Sequence, residues 1–179
     1  MIFQQHQQQQ LTILALSACA AVAHDPVKPW EITRLVTSSL PYRGEAACHD
    51  PLNTIAVEIH DANYPGLNST GLPSVQCIAK FPYCSPPYHK SFNCTEVPYR
   101  TWSFSFFQPD EHADSSYWNP GQSFVLCFRL LLRERGVWYD GQATFAVGDN
   151  LRGMCSAAGI CSFALKEMTP FYVNPMGEM

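Results

Sequence analysis

Eight cysteines are the residues of this 179-residue sequence most ready to do chemistry, and their spacing limits what that chemistry can be. Cys19 falls in an apolar leader, which leaves seven: Cys48, Cys77, Cys84, Cys94, Cys127, Cys155 and Cys161. No two pairs among them have the short Cys-x-x-Cys spacing of structural zinc sites. Disulfides are therefore the first expectation. Cys155 and Cys161 bracket a short glycine-containing turn and make the best local pair. A cysteine left over in a secreted chain points to an inter-chain bridge or a free thiol. Cys48 followed by His49 could suggest a nucleophile and its base, but neighbours on a strand point to opposite faces.

Other reactive side chains carry less. If a leader is removed after Ala23, His24 becomes an N-terminal histidine, whose amine and imidazole suit Cu(II). A second ligand would have to be His60 or His112, and no motif surrounds either, so no metal or other cofactor is expected and a copper-dependent secreted oxidase using His24 is only the alternative reading. Asp110, Glu111 and Asp114 share a polar stretch, yet glycoside hydrolysis needs two carboxyl groups held ~5–10 Å apart across a cleft. Neither a Gly-x-Ser-x-Gly elbow nor a phosphate-binding glycine loop occurs. The reading is therefore of a protein that is not an enzyme. Asn68 and Asn93 begin Asn-x-Thr acceptor triplets for N-linked sugar. Tyr83, Tyr88 and His89 lie in a proline-stiffened segment around Cys84, where rigid rings suit a binding loop.

These residues need a scaffold and a compartment. Residues 1–23 read as a secretory signal: a glutamine-rich start, an apolar stretch from Leu11 to Ala20, then Ala21-Val22-Ala23 as cleavage site. That stretch is shorter than the ~20 residues a bilayer requires. Residues 24–179 match the size of one domain, ~100–150 residues. The net charge is −4 and charged residues are 15% of the chain, which argues against nucleic acid, whose binders carry basic clusters. It equally argues against anionic membranes.

Hydrophobicity alternates with period two rather than 3.6, the mark of half-buried strands. Ile55, Val57 and Ile59 alternate with Ala56, Glu58 and His60, and Trp102, Phe104 and Phe106 with Ser103 and Ser105. Phe124, Leu126, Phe128, Leu130 and Leu132 take one face of a strand, with Arg129 and Arg133 on the other. Further strands are expected over 30–37, 75–81, 141–147, 160–166 and 169–173. Tyr64-Pro65-Gly66, Asn119-Pro120-Gly121 and Asp140-Gly141 read as turns, and residues from Asn174 onward as a tail. The fold class is all-β: an antiparallel barrel or closed sandwich stapled by disulfides.

One stretch is more distinctive. Phe145-Ala146-Val147-Gly148-Asp149-Asn150-Leu151, followed by Cys155, Gly159, Cys161 and Pro170-Phe171-Tyr172-Val173, resembles the end of the fungal major-allergen β-barrel family, first known from an Alternaria allergen. Trp30-Glu31-Ile32-Thr33 looks like that family's opening strand, and the segment ending in Asp61-Ala62-Asn63 like its second. The resemblance implies a secreted β-barrel, often dimeric, without an established catalytic site. It also implies a role as allergen or effector that binds host defence proteins, or as carrier of a flavonoid-like ligand. It pairs Cys77 with Cys94. Cys84 with Cys127 is then the remaining pair, and Cys48 the thiol for a disulfide-linked homodimer. The chain departs from the family in Cys84, Cys127 and the insert over 81–99. The expected function is extracellular recognition of a host or cell-surface protein by loops on a stapled scaffold.

Overall fold

A computed structural model describes residues 27–39, 52–63, 74–82, 85, 87–109, 121–167 and 170–178. Alternation is realised throughout as strands, and no helix occurs among these residues. In chain order they are β1 (Trp30–Ser39), β2 (Leu52–Asp61), β3 (Val75–Pro82), β4 (Ser91–Asn93), β5 (Arg100–Phe107) and β6 (Ser123–Leu132). There follow β7 (Val137–Ala146), β8 (Leu151–Cys155), β9 (Cys161–Leu165), β10 (Phe171–Val173) and β11 (Met176–Glu178).

They form two antiparallel sheets. The first has the order β3-β2-β1-β9-β8, with β10 also on β1; the second runs β11-β7-β6-β5-β4. The second is nearly a meander, because β4 to β7 are sequential neighbours. The first is held by β1, which pairs with β2 along its length and with β10 and then β9 on its other edge. A register shift between Ile32 and Arg34 inserts one residue there. That extra residue keeps Leu35 buried where strict alternation from Ile32 would turn it outward.

The inward faces of both sheets meet in one apolar cluster. Trp102, Phe104 and Phe106 on β5 and Phe124, Leu126 and Phe128 on β6 face Ile55, Val57 and Ile59 on β2. Each such side chain contributes about 1.5–3 kcal/mol by leaving water. Trp30 of β1 meets Trp102 of β5 edge-on, ring centroids 4.7 Å apart. Phe171 of β10 packs on Phe145 of β7 at 5.1 Å. An ion pair and a disulfide also cross between the sheets: Asp61 on β2 receives the Arg100 guanidinium of β5, and Cys77 on β3 is bonded to Cys94 just after β4. No closed barrel is found among the described residues.

Three expectations are corrected. Asp140-Gly141 is not a turn but the middle of β7. Gly141 is needed there because a Cβ would lie 2.9 Å from both Trp30 Cζ3 and Val173 Cγ1. The chain reverses instead before Val137, where Gly136 has a φ of +62°. The stretch after Asn174 is not a tail, since Met176–Glu178 adds a strand to the edge of β7. Cys127 is a free thiol rather than Cys84's partner. It sits mid-strand on the outer face of β6, flanked by Ser105 and Gln142, and its thiol donates a weak hydrogen bond to Gln142 Oε1 at 3.8 Å.

Candidate functional site

Because residues directly opposite one another in a sheet share a face, register alone builds the outer surface of the second sheet. One row crosses four strands as Ser91, Ser105, Cys127 and Gln142. The next runs Asn93, Ser103, Arg129, Asp140 and Met176. A third places Thr101, Leu131 and Trp138 side by side. Small side chains on β5 and β6 lie low, while Phe107, Arg129, Gln142 and Met176 rise around them. The result is an open hollow of about 440 Å³.

Charge in the hollow is cancelled locally. Arg129 grips Asp140 in a two-pronged pair, Nε to Oδ1 at 2.7 Å and Nη2 to Oδ2 at 2.8 Å. The same guanidinium stands 5.5 Å from the centroid of the Trp138 ring. Such an exposed ion pair contributes only about 0–1 kcal/mol to stability. Its effect here is to hold Arg129 beside an aromatic ring. Trp138 is 38% exposed and Met176 67%. The Cys127 thiol is pushed above its ordinary value by burial and, secondarily, by the negative charge of Asp140. It is therefore a protonated thiol at neutral pH, a poor nucleophile and a weak donor.

The residues expected to act are dispersed. Of the three loop rings, Tyr88 is half-buried and stacks on Phe106 at 5.4 Å, which raises its phenol well above the usual range through burial. It belongs with the core. His89 is exposed, in a left-handed backbone conformation with φ +60°, and its ring meets Phe107 edge-on at 5.0 Å, on the rim of the hollow. Tyr83 lies outside the described residues, as do Cys48, Cys84, Asn68, His24, His112, Asp110, Glu111, Asp114 and the leader. Asn93 is exposed at the end of β4. The bonds Cys77–Cys94 and Cys155–Cys161 both join directly paired residues, the first across the two sheets and the second closing β8 on β9.

On the opposite sheet, His60 Nδ1 lies 3.0 Å from Glu31 Oε2. Among the described residues no three His, Cys, Asp or Glu side chains converge to hold a metal ion. No helix there is long and apolar enough to cross a membrane.

The Trp138, Asp140 and Met176 contributions escape sequence reading for one reason. Taking Asp140-Gly141 as a turn starts β7 only at Gly141, and taking the end as a tail omits β11, so the segments that carry them drop out. Only Arg129 and Arg133 were visible, as the polar side of β6. No protein-family model, curated protein or solved structure matches the chain.

Proposed function

We propose that this protein acts outside the cell as a non-enzymatic recognition protein, and that its partner docks on the outer face of the second sheet. One observation carries the reading: Trp138, Arg129 and Met176 stand together on strands that a fully packed core holds rigid. Tryptophan, arginine and methionine are the types over-represented where protein interfaces derive their affinity. Fixing them on paired strands removes much of the ordering entropy that binding would otherwise cost. The protonated Cys127 thiol and the neutralised Arg129–Asp140 pair favour contact over catalysis.

Two disulfides support the extracellular assignment, since cross-links of this kind persist in oxidising compartments. So does the leader-like start of the sequence. The arrangement of sheets fits a sandwich laced at one side by Cys77–Cys94 and at another by Phe145–Phe171. The resemblance of 145–173 to the fungal allergen family points to a host defence protein as partner. The test is affinity capture from a host extracellular fraction with the wild-type chain and with Trp138→Ala. A protein retained by the first and lost by the second supports the reading. Equal capture by both moves the contact surface away from this sheet.

A further inference from the structure

The chain carries its own occupant for the polar part of this surface. Asn93-Cys94-Thr95 is an acceptor triplet for N-linked sugar, and Asn93 is exposed. Phe92 between them points inward, its ring 5.5 Å from that of Phe104, so Ser91 and Asn93 both face out. Asn93 stands directly opposite Ser103, which lines the hollow. A group attached to Asn93 thus starts at the rim of a depression floored by Ser103, Ser105 and Cys127.

We propose that Asn93 bears an N-linked glycan whose first sugars lie across this hollow. The inference rests on the extracellular reading above, because it needs passage through a glycosylating secretory route. The Asn93 Nδ2–C1 bond forms as the C1–O bond to a lipid-linked pyrophosphate donor breaks. The pyrophosphate leaves with the electron pair, and the amide gives up one proton. The chemistry of the floor suits the ligand: hydroxyl groups and a primary amide meet sugar hydroxyls, and the one ion pair leaves no net charge to attract an anion or cation. Strands ~4.8 Å apart place Cys127 of β6 about 10 Å from β4, within reach of the first rings. Trp138 and Met176, on β7 and β11, remain beyond them for a partner, with the Arg129 guanidinium at the boundary beside the Trp138 ring.

The folded triplet is locked. Cys94 is bonded to Cys77, Cys94 N–H donates to Trp102 O at 3.0 Å, and Thr95 Oγ1 accepts from Gln76 N–H at 3.0 Å. The sugar must therefore join the chain before β4 docks on β5 and before that disulfide closes.

Cys127 is a built-in reporter of the glycan's position. The secreted full-length chain would be labelled with N-ethylmaleimide before and after peptide N-glycosidase treatment, and the rate read at the Cys127 peptide by mass spectrometry. Removing the glycan should speed labelling about tenfold, the equivalent of about 1.4 kcal/mol of shielding contact. The enzyme leaves Asp at position 93, whose negative charge would slow thiolate formation, so a rise cannot come from that change. Asn93→Gln should label as fast as the treated protein, and Asn68→Gln as slowly as the untreated one. Unmodified Asn93, or a Cys127 rate indifferent to glycan removal, overturns the proposal. Sugar on Asn68 alone overturns only the proposal; a chain that is not secreted and carries sugar at neither site overturns the extracellular reading beneath it.

Discussion

The outer faces of the two sheets are built by the same alternation and differ in what they offer. Across the first sheet, Ile78, Ala56, Val36 and Ala164 form one row, with Lys80, Thr54, Ser38 and Ser162 beside it. Alanine, serine, threonine and valine fill the middle of that surface, between Ile78 and Lys80 on β3 and Arg152 and Met154 on β8. Across the second, serines and a cysteine between an arginine, a tryptophan and a methionine make relief. Inward residues are interchangeable in kind between the sheets, both supplying apolar bulk to one core. Recognition is thus encoded in the outward half of the alternation, the half that folding leaves largely unconstrained.

The severest way to break this comparison is to separate the two sheets. Asp61, 6% exposed on β2, receives Arg100, 12% exposed on β5. Asp61→Ala leaves a guanidinium desolvated beside the core and should cost about 3–5 kcal/mol, read as a lowered urea midpoint. Asp61→Leu combined with Arg100→Met should recover most of the loss. Next comes the contrast between faces. Trp138→Ala should weaken partner binding by about 2 kcal/mol or more, while changing stability by no more than about 0.5 kcal/mol. Ile78→Ala on the opposite sheet should leave binding unchanged by calorimetry. Equal losses at both positions would dissolve the distinction between the faces.

A smaller effect sharpens the boundary between core and rim. The Tyr88 phenol is raised by burial, so above its unfolded value of ~10 the folded chain holds a proton that the unfolded chain has released. Stability must then fall as pH rises beyond ~10, and is unaffected below it. Tyr88→Phe should flatten that alkaline decline in a series of thermal melts. An unchanged slope would place the ring at the surface with His89.

Much of the fold was legible because burial and strand period speak through the same residues. Trp102, Phe104 and Phe106 alternate in sequence and are buried in space. So do Phe124, Leu126, Phe128 and Leu130 of β6. Local proximity made Cys155–Cys161 readable. What failed was context. Asp-Gly is ordinarily turn chemistry, but a glycine in a strand also marks close approach, and only the positions of Trp30 and Val173 show that Gly141 does so. A three-residue edge strand such as β11 has too few residues to display a period. Cys127 was assigned by remainder, and a thiol's partner depends on a register that no spacing reveals. The site shared these blind spots, since Trp138, Asp140 and Met176 lie on the misread segments.

The pairing of β1 has a consequence for the order of assembly. β4 to β7 join sequence neighbours, so the second sheet can close by hairpins soon after its residues are available. The first sheet pairs Trp30 with Val173, contacts from nearly opposite ends of the described chain. Loop-closure entropy makes such distant contacts slow to form. An emerging chain would thus hold β1 to β3 and β4 to β7 as formed hairpins while the other edge of β1 waits for β9 and β10. The surface that waits is the apolar underside of both sheets, and the time it stays open is set by the last few residues to arrive.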